Sequence, residues 1–153
     1  MEKFDEYTLF AESTQRMSER RQAATQTYLT ANTVIAAALG FLLKDMAFPG
    51  WGLVLVSLPF FLVGVLACII WHKIITQYKA LAAWRYRQLI EMEQAIPESH
   101  RFYLKEWEDF YKPRVEKGGF SFSGLELWLP RLFLGLYGVY GVGLVAMTAL
   151  GWR

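Results

Sequence analysis

Residues 46–71 read MAFPGWGLVLVSLPFFLVGVLACIIW and contain no charged side chain. Trp51 and Trp71 frame the most apolar part, and the roughly 20 helical residues between them would span about 30 Å, the thickness of a bilayer's hydrocarbon core. Tryptophan favours the level of the lipid headgroups, so this spacing is typical of a membrane-spanning helix. A second uncharged stretch, residues 132–152, is also preceded and ended by tryptophan. The sequence therefore predicts at least two membrane spans.

The composition of the whole chain agrees with a membrane protein. Hydrophobic residues make up 54% of the 153 residues and charged residues 20%, and the mean hydropathy is +0.21. A soluble protein of this size would have too little polar surface to cover two such helices. The net charge of +2 is too small to favour a nucleic-acid partner. Cys68 is the only cysteine, which argues against a disulfide within the chain and against a cysteine-based metal site.

A third, less apolar span is predicted over residues 22–43, which read QAATQTYLTANTVIAAALGFLL. Lys44-Asp45 follows it, and then Phe48-Pro49-Gly50, which is a turn signal. The predicted organisation is a cytoplasmic N-terminal segment (1–21), a first span (22–43), an external turn (44–51), a second span (52–72), a cytoplasmic helical region (73–128), and a third span with an external C-terminus (129–153).

The orientation rests on the positive charges. Nine lysines and arginines lie between the second and third spans and four lie before the first span, whereas the turn between the first two spans has only Lys44. The positive-inside rule then places the N-terminus and residues 73–128 on the cytoplasmic side of the membrane.

The cytoplasmic region is predicted to be a helical hairpin. Residues 73–96 lack proline and glycine and are rich in helix formers, so the second span should continue as one helix until Pro97. A further helix is expected from Ser99 to Tyr111, and the glycines and serines of 118–123 should form a turn. Pro130 suits the first turn of the third span. The fold class is therefore all-α, with three transmembrane helices and this hairpin between the second and third.

Particular side chains of the hairpin have predicted roles. Its apolar face needs a partner, and the contacts expected between copies of the chain are Tyr78, Leu89, Ile96 and Trp107. Its acidic residues, Glu93 among them, alternate with lysine and arginine and are predicted to be solvated.

Several short patterns in the chain resemble one protein family. They are Tyr78-Lys79-Ala-Leu81, the stretch LIEMEQAIP at 89–97, Glu106-Trp107, Arg20-Arg21-Gln22 and Leu129-Pro130. Together they resemble the RipA family of octameric bacterial membrane proteins. The resemblance implies an inner-membrane protein that assembles as a homo-octamer, and the family name refers to bacterial growth inside host cells.

Two sets of residues within the spans stand out. One face of the first span carries Gln22, Gln26, Thr30 and Thr33. These side chains line a water-filled pore, form hydrogen bonds between helices, or lie at the membrane interface. Gly135, Gly138 and Gly141 recur every three residues in the third span and are expected to allow close helix contact.

The sequence contains no motif that favours catalysis, and neither a cofactor nor a metal ion is expected. The predicted function is a non-enzymatic membrane assembly that serves as an envelope scaffold or as a stress or host-adaptation factor. The alternative is a regulated pore or a membrane-permeabilising effector. The expected partners are further copies of the chain and membrane lipids, without nucleic acid.

Overall fold

The structure is a computed structural model that describes residues 3–45, 51–97, 100–113 and 122–150. Within these ranges the chain is all-helical, as predicted. The helices are α1 (Lys3–Asp45), α2 (Trp51–Ala95), α3 (Phe102–Glu106), which runs on into a π-helical turn (Trp107–Tyr111), and α4 (Phe122–Ala149).

Three of these helices, α1, α2 and α4, are long and apolar enough to cross a membrane. This result confirms the predicted number of spans. The continuous helix expected from the second span to Ile96 is also confirmed, because α2 reaches Ala95, two residues before Pro97. The turn expected at Phe48-Pro49-Gly50 lies outside the described residues.

The start of each of the other two long helices differs from the expectation. From Lys3 onward the N-terminal segment is part of α1 itself, and Asp5 and Glu6 in the first turn of this helix suit the positive end of the helix dipole. Helix α4 begins at Phe122, so Pro130 lies inside the helix rather than in its first turn. Because the leucines at 125, 127 and 129 and Glu126 are good helix formers, the helix starts well before the uncharged stretch.

The hairpin helix also differs in detail from the predicted range of Ser99–Tyr111. Helix α3 begins only at Phe102, because Arg101 adopts a left-handed conformation with φ of 49°. From Trp107 the backbone follows a π-helical turn to Tyr111. The expected turn at 118–123 lies mostly outside the described residues, and its last two positions belong to α4.

The chain divides into two compact units. The head unit comprises Met1–Ala24 and Ile75–Glu126, and the membrane unit comprises Thr25–Ile74 and Leu127–Arg153. The membrane unit contains the apolar part of each predicted span. Helices α1, α2 and α4 contribute to both units.

The core of the membrane unit follows a regular spacing. Leu53, Ser57, Gly64, Cys68 and Trp71 are all buried on α2, at separations of four, seven, four and three residues. Such steps are typical of helices that pack at a small angle with interlocking side chains. Large side chains on other faces, such as Leu55 and Val139, are exposed on the single chain and can contact lipid.

Candidate functional site

A polar cluster at the centre of the membrane unit joins its three long helices. Asn32 of α1 is fully buried, and its Oδ1 accepts hydrogen bonds from the Tyr137 hydroxyl at 3.0 Å and the Cys68 thiol at 3.1 Å. Its Nδ2 donates to the carbonyl of Tyr28 at 2.8 Å. Unpaired amide groups are costly in hydrocarbon, so this satisfied cluster holds α1, α2 and α4 in one arrangement.

An aromatic layer lies beside the polar cluster. The Trp71 ring is fully buried and stacks on Tyr28, with ring centroids 6.2 Å apart and planes 11° apart. The Phe133 ring of α4 is tilted relative to the Trp71 ring, and the two ring centroids are 6.3 Å apart. Trp71 therefore packs in the interior of the unit, although the sequence suggests an interfacial tryptophan.

The close approach of α2 and α4 depends on Gly64. A Cβ atom at this position would lie 2.5 Å from Cζ and 2.7 Å from the hydroxyl of Tyr137. The edge of Phe61 packs on the same tyrosine, with ring centroids 6.4 Å apart. The absence of a side chain at Gly64 is what allows the Tyr137 hydroxyl to reach Asn32.

The glycines predicted to pack in the third span fall into two groups. A Cβ atom at Gly141 would lie 3.3 Å from the Phe61 ring, so this glycine is at a helix contact. Gly135 and Gly138 have no such neighbour within 4 Å in the described part of the chain. These two glycines face open space on the single chain.

The predicted polar stripe lies on the surface of the single chain. The side chains of Gln22, Gln26, Thr30 and Thr33 are all exposed. The Thr33 hydroxyl donates to the carbonyl of Leu29 at 2.8 Å, one turn back on the same helix. The structure therefore places all four on one accessible face of α1.

The head unit is organised around a buried carboxylate. Glu93 is 1% exposed and accepts hydrogen bonds from the Tyr7 hydroxyl at 3.0 Å and from the backbone N–H groups of Tyr103 and Leu104 at 3.1 and 3.2 Å. A carboxylate at the N-terminus of α3 suits the helix dipole and the unpaired N–H groups there. The expectation that Glu93 is solvated is therefore wrong: it joins α1, α2 and α3.

The same carboxylate affects the hydroxyl of Tyr7. Burial, the hydrogen bond to Glu93 and the negative charge of Glu93 raise the pKa of Tyr7. The hydroxyl therefore stays protonated and keeps donating to Glu93 throughout the physiological pH range.

Two arginines hold other parts of the head unit together. Arg21 of α1 forms an ion pair with Glu126 of α4, with Nε 3.5 Å from the carboxylate. Arg85 of α2 donates from Nη1 to the Ser13 hydroxyl at 2.9 Å, and its guanidinium carbon lies 5.6 Å from the centre of the Phe10 ring. Among the described residues, the first arginine meets a carboxylate, whereas the second meets a neutral oxygen and a ring.

The four predicted contacts between copies occupy different environments. Leu89 is fully buried in the head unit, so it packs within the single chain. Tyr78 and Ile96 are half-buried. Trp107 is 45% exposed and is available to a partner.

Sequence reasoning missed the residues at the centre of both units, namely Asn32, Tyr137, Gly64 and Glu93. One signal could have found Asn32, because a carboxamide in the middle of a span usually faces other helices. Among the residues that the structure describes, no group of three or more His, Cys, Asp or Glu side chains could hold a metal ion.

Comparisons with known proteins identify the family of the chain. The model of the octameric membrane protein family (8xMP) matches residues 4–147. Neither the curated proteins nor the solved structures contain a significant match. Since the family model covers nearly the whole chain, including both units, the protein belongs to the octameric membrane protein family.

Proposed function

We propose that the protein is a non-enzymatic, multi-pass protein of the bacterial inner membrane that forms a ring of eight copies with the N-terminus in the cytoplasm. In this proposal it belongs to the RipA branch of its family and acts as an envelope scaffold or as a stress or host-adaptation factor. Its action then depends on assembly and not on a chemical reaction.

One observation carries this proposal: aromatic side chains of the head unit are exposed on the single chain. The head unit lies outside the apolar stretches, so these side chains are not explained by contact with lipid. They include Phe102 (70% exposed), Phe110 (62%) and Trp84 (52%). Outside a membrane, exposed apolar side chains grouped on one segment, as Phe102 and Phe110 are, usually mark a protein interface. In a member of an octameric family, further copies of the same chain are the natural partner.

The distribution of charge supports the proposed orientation. The head unit contains most of the lysines and arginines, whereas Lys44 is the only one between the first two spans. The positive-inside rule favours the head unit in the cytoplasm.

The mass of the intact particle tests the assembly. Native mass spectrometry of protein released gently from the membrane should give eight times the chain mass of 17.7 kDa. The Phe110→Ser chain should fold normally, because the side chain at this position is exposed. Its oligomers should dissociate at protein concentrations at least about tenfold higher than those at which the wild-type oligomers dissociate. Phe4→Ser, which removes a ring of similar exposure (63%), serves as the matched control. A wild-type particle of one chain would refute the proposal.

A pore is the second candidate function, and the polar stripe favours it. Gln22, Gln26, Thr30 and Thr33 are exposed on a helix that can cross a membrane. Polar side chains in a bilayer usually face other helices or water. In a ring, this face would meet either the neighbouring copy or a central lumen.

Ion flux into liposomes separates the two functions. If the protein is a scaffold, liposomes with the wild-type protein should be as impermeable to ions as protein-free liposomes. On the pore alternative, the wild type should conduct, and replacing all four stripe residues by leucine should abolish the flux. Gln15→Leu, an exposed glutamine on α1 outside the predicted span, should leave the flux unchanged. The pore would be supported if the wild type and Gln15→Leu conduct ions and the variant with all four stripe residues replaced by leucine does not.

A further inference from the structure

The head unit has two opposite faces, and only one of them is covered by α3. Tyr7 of α1 and Tyr86 of α2 both pack against Tyr103 of α3, with ring centroids 6.5 and 5.9 Å apart. Successive helical residues are rotated by about 100°, so a residue two positions further points in nearly the opposite direction. Leu9 and Gln88 therefore face away from α3.

The face that points away from α3 contains a groove between α1 and α2. Its lining residues are Glu6, Leu9, Phe10, Ser13, Gln88 and Met92. Leu9 is 53% exposed, and the exposed Trp84 packs edge-on against the Phe10 ring at 6.3 Å. The groove thus has an apolar part, formed by Leu9, Phe10 and Met92, and the Trp84 ring lies beside this part.

A cation beside the groove has no charged partner in the described part of the chain. Arg85 donates to Ser13 in the groove wall, but its Nε is buried without an acceptor. A half-buried guanidinium is stabilised most strongly by a carboxylate, which can accept two hydrogen bonds from it. The groove therefore suits an apolar ligand that also carries an acidic group.

The opposite side of the head unit has both apolar side chains and acidic groups. Residues 102–111, which we call the ridge, expose Phe102, Trp107 and Phe110. Between these rings the ridge also exposes Glu106, Glu108 and Asp109. Aromatic side chains next to acidic ones complement the apolar part of the groove and Arg85, whose described partners are neutral. The acidic lining residue Glu6 lies seven residues, about 10 Å along α1, from the Ser13 that Arg85 contacts.

A closed ring of identical copies needs two different complementary surfaces on each copy. We propose that the ridge of one copy occupies the groove of the next, so that Phe110 packs between Leu9 and Trp84. An acidic side chain of the ridge, Glu108 or Asp109, then lies opposite Arg85. This interface rests on the ring assembly proposed above and assigns its two surfaces.

Cysteine cross-linking tests the assignment. In a Cys68→Ser background, which removes the native thiol but keeps a hydroxyl donor to Asn32, Leu9→Cys and Phe110→Cys are introduced singly and together. A short bis-maleimide reagent is added to the protein in native membranes. Both positions are exposed, so the variants should fold, and the helical circular dichroism of the purified chains checks this.

The expected pattern is specific to a head-to-tail contact. The double variant should give a ladder of products up to eight chains, and each single variant should stay monomeric. A co-expressed mixture of the two single variants should stop at dimers. Phe4→Cys with Phe110→Cys is the matched control and should give no ladder, because Phe4 is similarly exposed but lies outside the groove.

Four outcomes would overturn the assignment. Dimers of the Phe110→Cys single variant would show that two ridges meet, and a cross-link within one chain of the double variant would show that the groove is filled by its own ridge. If the double variant forms an eight-chain particle but gives no ladder of cross-linked products, the assignment of these surfaces is refuted and the ring assembly is not. A monomeric particle would instead refute the proposed function, and the interface with it.

Discussion

Replacing Gly64 by alanine should destabilise the membrane unit by about 2–4 kcal/mol. The new Cβ atom would lie 2.5 Å from Cζ of Tyr137, so the ring would have to move. Overpacking of this kind typically costs about 1–3 kcal/mol. Moving the ring would also break its hydrogen bond to Asn32, and a hydrogen bond between helices in a membrane contributes about 1 kcal/mol.

The chain provides a matched control for this prediction. Gly138→Ala makes the same chemical change on α4, but no atom of a neighbouring element lies within 4 Å of its Cβ position. Since alanine is also the better helix former, this variant should be neutral or slightly more stable. Thermal unfolding in one detergent, followed by circular dichroism, compares the two variants. Equal midpoints would contradict the packing of Tyr137 on Gly64.

A third variant separates the two parts of the effect. Tyr137→Phe keeps the ring but removes the hydroxyl that donates to Asn32 at 3.0 Å. It should therefore cost only about 1 kcal/mol, clearly less than Gly64→Ala. A larger loss than that of Gly64→Ala would mean that the hydrogen bond, and not the steric fit, dominates at this contact.

The second large effect is expected for Glu93→Gln, which should destabilise the head unit by about 2–3 kcal/mol. The carboxylate has three donors, namely the Tyr7 hydroxyl and the N–H groups of Tyr103 and Leu104. An amide offers one acceptor oxygen and brings an NH₂ group that would face one of these donors. A buried donor is then left without an acceptor, and α3 loses the negative charge at its N-terminus.

Hydrogen exchange measures this effect locally. The amides of Tyr103 and Leu104 should exchange at least tenfold faster in Glu93→Gln than in the wild type. The control is Glu91→Gln, two residues earlier on an exposed face, where the change should stay within about 0.5 kcal/mol. The role assigned to Glu93 would be refuted if both variants left these amides equally protected.

Hydropathy and helix signals were sufficient to predict the general architecture. The uncharged stretches predicted three spans, and the absence of proline and glycine between Lys73 and Ile96 predicted the long continuous helix α2. These features depend on local composition, which a single sequence displays directly. The expected position of Pro130 was wrong because a proline can lie inside a helix, as well as at its start.

The contacts at the centre of each unit could not be predicted from the sequence, because they depend on which faces of distant helices meet. Glu93 is surrounded by charged residues in sequence and resembles a solvated carboxylate, yet the fold brings Tyr7 to it across 86 positions. The glycine periodicity of the third span pointed to Gly135, Gly138 and Gly141, and of these Gly141 lies at a helix contact. The tightest glycine contact in the described chain is instead at Gly64 of another helix. Periodicity defines a face, but it does not identify the partner of that face.

The central claim is that copies of this chain close into a ring through their head units. Averaged electron-microscopy images of the detergent-solubilised particle test it most directly. We predict a single ring with eightfold rotational symmetry, which loses its closed form in Phe110→Ser but keeps it in Phe4→Ser. Isolated single chains, or two stacked rings of four copies, would contradict the account.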